Sequence, residues 1–204
     1  MICKVYTRQN HFMKKLTEQQ FNEWAKRISR SDRQAFNELF RAIYPAMVHF
    51  AMRYLKDKTA SKDIVQDCFI SLWQTRSRID PSRSLKNYLF TMVRNKALNA
   101  IRDRSSFNVD HDLVSDGNAG SVVIAMDDED DGDGPSLKEL MRSWINELPD
   151  RQKEALSLSR FEGFDHEEIA VVMNVSPKTV NNHIVAALRS LRERYEQYEN
   201  HSNN

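Results

Sequence analysis

The sequence predicts an all-α protein built as two small helical domains joined by a flexible acidic linker. Three observations carry that prediction. Glycine and proline are scarce, five each in 204 residues, too few for a turn-rich β fold. Apolar residues recur at spacings of three and four on both sides of a single break. The break itself, residues 106–135, has no period, and it holds four of the five glycines and nine acids.

Charge reinforces this division. The formal net charge is only +1, but of the 29 acids nine lie between residues 108 and 134, where there is no Lys or Arg. Elsewhere 30 bases face 20 acids. Two basic bodies are joined by an acidic strap, and the sum hides both. Inside the strap, "SVVIAM" is a short apolar run that reads equally as a docking segment or as part of a loop.

Residues 1–15 are expected to be a disordered N-terminus, the first twelve being polar and aperiodic. Met13 is an alternative start, which leaves open whether residues 1–12 belong to the native protein. The first domain is predicted over 16–105. Thr17 with Gln20 forms a capping box, followed by Phe21, Trp24, Ala25 and Ile28 on one stripe. Ser31 with Gln34 repeats the box, ahead of Phe36, Leu39, Phe40, Ile43 and Tyr44. Pro45 either kinks this element or opens a new one, and the stripe continues through Val48, Ala51, Met52 and Leu55. After "KDKTAS", the segment "KDIVQDCFISLWQTR" places Ile64, Val65, Cys68, Phe69, Leu72 and Trp73 on one face. "SRIDPSRS" reads as a loop. Ser84 then opens "LKNYLFTMVRNKALNAIRDR", with Leu85, Tyr88, Leu89, Met92, Val93 and Ile101 inward.

The second domain is predicted over 136–200. Ser136 and Glu139 box its first helix, and Asp150 caps a second that stops at Gly163. Asp165 and Glu168 box a third. Asn174 suits a left-handed corner, and Ser176 caps a last helix with Pro177 at its first position.

Composition and motifs exclude several classes. No run of eighteen apolar residues exists, so no membrane insertion is expected. The N-terminus lacks the apolar core of a secretory signal. Two lone cysteines, Cys3 and Cys68, fit a reducing, cytoplasmic setting rather than a disulfide framework or a zinc site. "DDEDDGDGPSLKE" mimics a calcium loop until its twelfth position, which is Lys138 and not a bidentate Glu. "HEEIA" lacks the second His of a zinc-protease helix. No catalytic residue, cofactor site or metal site is expected, and the chain is not read as an enzyme.

Three segments carry recognition chemistry. In "DHEEIAVVMNVSPKTVNNHIVAALRSLRER", Ile169, Ala170, Met173 and Val175 bury a short helix and its turn, and Val180, Ile184, Ala187, Leu188 and Leu191 bury the helix that follows. This is a helix-turn-helix pattern. The leading end exposes Ser176, Lys178, Thr179, Asn181, Asn182, His183 and Val185, and such amide and ammonium groups read base edges. Arg189, Arg192 and Arg194 suit phosphates. A plain helical hairpin is the competing reading, and the polar leading face favours the reader. In the helix after Ser84, Lys86, Arg94, Lys96, Arg102 and Arg104 lie among Asn87, Asn95 and Asn99, with Tyr88 and Phe90 interleaved. Bases track a backbone, aromatics stack and amides bond a splayed base. A solvated basic face over a core of aromatics remains open for the same residues. Third, Asp63, Gln66 and Asp67 form an acidic and amide patch opposite an apolar stripe, read either as ordinary helix surface or as a docking face for arginines.

The order "AFNELFRAIYPAMVHFAMRYLKDKTASKDIVQDCFISLWQTR", "SLKNYLFTMVRNKALNAIRDR", a variable linker, and "LPDRQKEALSLSRFEGFDHEEIAVVMNVSPKTVNNHIVAALRSLRE" resembles a bacterial RNA polymerase sigma factor of the extracytoplasmic-function (ECF) group. The resemblance implies a region 2 bundle for the first domain and a region 4 helix-turn-helix for the second. It implies that Asp63, Gln66, Asp67, Phe69 and Trp73 bind the β′ clamp of RNA polymerase core. It implies −10 contacts by Lys86, Asn87, Tyr88, Phe90, Arg94, Asn95, Lys96 and Asn99, with loop 77–84 forming a pocket for an extruded base. The −35 element falls to Ser176, Lys178, Thr179, Asn181, Asn182, His183, Val185, Arg189 and Arg192. Helices around Leu148, Leu156 and Leu158 would pack on the β flap, the acidic strap would thread the polymerase channel, and an anti-sigma factor is the expected regulator. Asn181, Asn182 and His183 stand where many relatives place arginines. Two rivals remain: a free-standing helix-turn-helix regulator, which predicts dimers on a palindrome, and an interaction protein working through its acidic linker alone.

Overall fold

The computed structural model describes residues 16–107 and 136–202, which fall into two compact helical bodies. The acidic linker between them, its "SVVIAM" run, the calcium-like stretch and residues 1–15 lie outside the described residues. The described residues are helical apart from turns and short loops, as the sequence predicts.

The first body opens with α1, Glu18–Ser29. Its expected box is present: Thr17 Oγ1 accepts from the Gln20 amide at 3.2 Å and Gln20 Oε1 accepts from the Thr17 amide at 2.8 Å. The next cap differs from expectation. Ser31 takes a left-handed backbone, φ 67°, which a capping residue does not adopt. Asp32 caps α2 (Arg33–Leu55) in its place, its Oδ1 accepting from the amides of Gln34 at 2.8 Å and Ala35 at 3.0 Å. Behind it, Arg27 Nε donates to Asp32 at 2.8 Å, Arg27 also donates to Glu38 at 3.2 Å, and Trp24 Nε1 donates to Glu38 at 3.1 Å. The Ala35 amide and then Arg27 hold the Asp32 carboxyl below its ordinary value. Pro45 neither breaks nor restarts α2; it sits exposed, where the bond it cannot make costs least.

Asp57 caps α3, Lys58–Gln74, so that helix begins inside the "KDKTAS" segment and not after it. A single 3-10 turn, Arg76–Arg78, leads through loop residues to α4, Leu85–Phe107. That helix runs two residues past the expected boundary at 105. Helix α2 packs against α1, α3 and α4, and α4 touches the other three. Phe21, Ile28, Leu39, Ile43, Met47, Leu72, Leu89 and Val93 fill the space between them, each contributing about 1.5–3 kcal/mol of apolar burial. Cys68 lies fully inside, and burial pushes its thiol up to about 12 in spite of nearby Lys96.

In the second body Ser136 and Glu139 box α5, Leu137–Asn146. Pro149 occupies the cap position of α6, Asp150–Arg160. Asp150 is therefore the first helical residue and not the cap, its carboxylate at the positive end of the helix dipole. Asp165 boxes α7, His166–Met173, and Asn174 makes the left-handed corner at φ 55°. Helix α8, Pro177–Ser202, spans 26 residues, roughly 39 Å at 1.5 Å per residue. Ile145, Leu148, Leu156, Ala187 and Leu191 form one cluster of the core, flanked by Trp144 and Phe161, and Leu158, Ile169, Met173 and Val180 are buried as well. Lys153 is buried with its charge answered by the Asn146 carbonyl and Asp150. At the far end of α8, Arg194 pairs with Glu147, the residue that caps the end of α5, and Tyr198 meets Trp144 of α5 edge-on at 6.2 Å.

Candidate nucleic-acid interface

Helix α3 buries Val65, Cys68, Phe69 and Leu72. The 3.6-residue period then forces Asp63, Gln66, Asp67 and Ile70 outward, and all four are exposed. Asp67 lies 3.7 Å from Lys96 on α4, which joins the acidic face of one helix to the basic face of the next. Beside the carboxylates runs an open groove of about 620 Å³ between α2 and α3. Phe36, Phe40, Phe69 and Trp73 wall it, Ile70 stands at its rim 54% exposed, and Gln66 supplies a polar edge. The rings support one another: Phe36 to Trp73 at 5.1 Å, Phe40 to Phe69 at 4.8 Å and Phe40 to Tyr44 at 4.7 Å. Phe69, expected at the clamp-binding face, is only 2% exposed and forms the floor. Trp73 is half-buried in the wall.

Helix α4 divides its candidate residues. Tyr88 is 46% exposed, and Asn95 and Asn99 stand on the surface. Lys86, Asn87 and Lys96 are half-buried. Two candidates lie inside the bundle and not on its surface. Phe90 has no exposed surface and packs on Phe50 at 5.0 Å, so it is a core ring and offers no face to a base. Arg94 is 6% exposed and likewise lies within the bundle. Both turn inward because α4 is packed on three sides.

The start of α8 is built for presentation. Ser176 Oγ accepts from the Thr179 amide at 3.1 Å and lies 2.8 Å from Thr179 Oγ1, so these two hydroxyls are engaged with each other in forming the helix start. Lys178, Asn181, Asn182 and Val185 are exposed, Val185 at 55%, and His183 is half-buried. Arg189 and Arg192 continue the exposed face. Leu188, expected inside, is 40% exposed, because it falls beside the buried stripe of Val180, Ile184, Ala187 and Leu191. Arg194, grouped with the phosphate-binding arginines, is held by Glu147. Leu148, Leu156 and Leu158 are at most 4% exposed and form the body's own interior, not a surface. Among the described residues no group of three or more His, Cys, Asp or Glu could hold a metal ion, and no helix is long and apolar enough to cross a membrane.

Comparison with known proteins identifies both bodies. Residues 39–107 match sigma-70 region 2, and residues 138–191 match sigma-70 region 4. The class is therefore that of the RNA polymerase sigma factors, non-enzymatic factors of transcription initiation. Among curated relatives, the RNA polymerase sigma factor CarQ of Myxococcus xanthus is 28% identical over 159 residues, covering 78% of this chain and 88% of CarQ. The ECF RNA polymerase sigma factor SigM of Bacillus subtilis is 22% identical over 160 residues, covering 78% of this chain and 94% of SigM. Among solved structures, the sigma factor RpoE in complex with the anti-sigma factor NepR from Bartonella quintana superposes with a TM-score of 0.61 at 23% identity, covering 79% of this chain and 96% of that one. The chain belongs to the sigma-70 family, in its extracytoplasmic-function group.

Proposed function

We propose that this chain binds RNA polymerase core in the cytoplasm and directs it to promoters by reading a −10 and a −35 element. The observation that carries the reading is the surface α3 presents: Asp63, Gln66 and Asp67 exposed beside an aromatic groove, in a region 2 body. Carboxylates and amides there suit an arginine-bearing helical partner, and the groove suits its apolar side chains. Such a partner is the β′ clamp of the polymerase. Extruding a −10 base costs a few kcal/mol. Stacking on Tyr88 and bonding to Asn95 or Asn99 offset that cost at the exposed edge of α4. On α8, Asn181 and Asn182 suit adenine edges, Lys178 a guanine or a phosphate, and Arg189 with Arg192 the backbone. The surfaces of α5 and α6 would take the β flap. An anti-sigma factor is the expected regulator, in line with the NepR complex of the structural relative.

A pull-down of core polymerase tests the reading, with wild type beside an Asp63→Ala, Gln66→Ala, Asp67→Ala triple variant. Wild type is expected to bind and the triple variant to lose binding with an unchanged melting profile. A folded wild type, free of any anti-sigma factor, that ignores core polymerase would overturn it and favour a free-standing regulator.

A further inference from the structure

We infer that Arg76 is a positioning residue for the promoter-reading loop, seating loop 77–84 between the aromatic wall of the α2–α3 groove and the α1–α2 turn. The inference rests on the function proposed above and deepens it. Three contacts fix the guanidinium. It lies over the Trp73 ring, 4.6 Å from the centroid. It donates to the Trp73 carbonyl at 2.8 Å. From Nε it donates to Ser31 Oγ at 2.9 Å, across 45 residues of sequence. Stacking combined with a fork of donors is what arginine offers and lysine does not.

Position in the chain gives these contacts a consequence. Arg76 is the first residue of the 3-10 turn that follows α3, so its seat sets the direction in which the chain leaves that helix. The loop then turns on Asp80, whose Oδ1 accepts from the Ser82 amide at 2.9 Å and the Ser82 hydroxyl at 2.6 Å. It enters α4 at Leu85, which is buried. The loop is thus pinned by Leu85 at one end and by Arg76 at the other. Without the Arg76 side chain this end of the loop keeps only its local backbone bonds, Arg78 N–H to the Thr75 carbonyl and Ile79 N–H to the Arg76 carbonyl, while the buried apolar side chains of the bundle keep their contacts.

Ser31 supplies the second observation. Its backbone is left-handed, φ 67°, a conformation that glycine adopts freely and serine does not. Glycine would suit the turn better. Serine provides the one thing glycine lacks there, a hydroxyl for Arg76. In addition, Trp73 both walls the groove assigned to the polymerase and carries Arg76 on its face, so one ring borders the docking surface and the reading loop together.

The test compares wild type, Arg76→Ala and Ser31→Gly with purified core polymerase. The template is a promoter fragment selected by the wild-type holoenzyme from a random pool, used as full duplex and again with the −10 region premelted. Both variants are expected to bind core polymerase within about twofold of wild type. On duplex, Arg76→Ala opens about tenfold less template and Ser31→Gly about threefold less, the scale of charge-assisted hydrogen bonds lost. On the premelted template both return to within about twofold of wild type, since the loop's contribution to opening is no longer needed. Ser31→Gly is also expected to melt at or above the wild-type temperature, because glycine relieves the left-handed backbone. A merely structural role would move stability and opening in the same direction. Equal losses on both templates, or unchanged opening by either variant, overturn the inference. A wild type that fails to bind core polymerase overturns the underlying reading instead.

Discussion

Helices α4 and α8 share one recognition chemistry in sequence and present it differently in the structure. Both carry basic and amide side chains among apolar ones. Helix α4 is wedged among α1, α2 and α3, so two of its eight expected DNA contacts, Phe90 and Arg94, are interior. The leading end of α8 projects beyond its own core, and its readers stay exposed apart from the hydroxyls that form the cap and the half-buried His183. Periodicity assigns residues to faces, but where the neighbours pack decides which of those faces reach solvent. Each helix touches three others, yet α8 meets α5 through Arg194 and Tyr198, well past its leading end, whereas α4 is enclosed at Phe90 and Arg94.

Four substitutions, in one pair on each helix, sharpen or break this contrast, the pair with the largest effect first. Phe90→Ala should cost about 3–5 kcal/mol in denaturant unfolding of the first body, the cost of an emptied aromatic site. Tyr88→Ala, two positions earlier, should stay within about 0.5 kcal/mol in the same experiment and weaken promoter opening. If the two variants melt alike, α4 is not divided into a buried Phe90 side and an exposed Tyr88 side. On α8, Asn182→Ala should cost about 1–3 kcal/mol on the preferred −35 sequence and relax selection at one base pair. By contrast, Arg192→Ala should weaken all sequences alike and lower the salt slope by about 1. A binding selection across salt concentrations separates the two, and a base-selective loss from Arg192→Ala would sink its phosphate role.

The smallest effect is a pH dependence. Arg194 first, then Ser143, hold the Glu147 carboxyl below its ordinary value. The unfolded chain lacks that pairing, so the pair stabilises the fold above the ordinary carboxylate range. Its contribution is lost as pH falls through the lowered folded value. Thermal melts of Glu147→Gln from neutral to acid pH should show a slightly lower neutral plateau and a shallower acid limb than wild type. An acid limb of unchanged slope would mean that the pair does not anchor the end of α8.

Much of the fold could be read from local chemistry. Thr17, Ser136, Asp165 and Asn174 each sit where their side chains or backbone preferences place them, because caps depend on residues three or four positions away. The cap of α2 could not be chosen between Ser31 and Asp32 by that rule alone. Arg27 and the left-handed turn decide it, and both act through the folded corner. The groove was invisible for a related reason. Phe36, Phe40 and Tyr44 read as a core stripe, yet in this first half of α2 the buried residues are Ala35, Leu39 and Ile43. The surplus of aromatics on one helix was the available signal, and only the position of α3 turned it into a cleft. Arg76 gave no signal at all, since Ser31 lies 45 residues away.

Cys68 has a use as a clock. With its thiol pushed up to about 12 inside α3, the reactive thiolate amounts to on the order of one molecule in ten thousand at pH 8, and access is closed as well. An alkylating reagent can reach it only when the bundle opens. In a Cys3→Ser background, the labelling rate of Cys68 therefore counts openings of the first body. A partner seated in the groove on Phe69, the next residue along, would slow that count without touching the sulfur, so the same thiol reports occupancy of the docking surface from within.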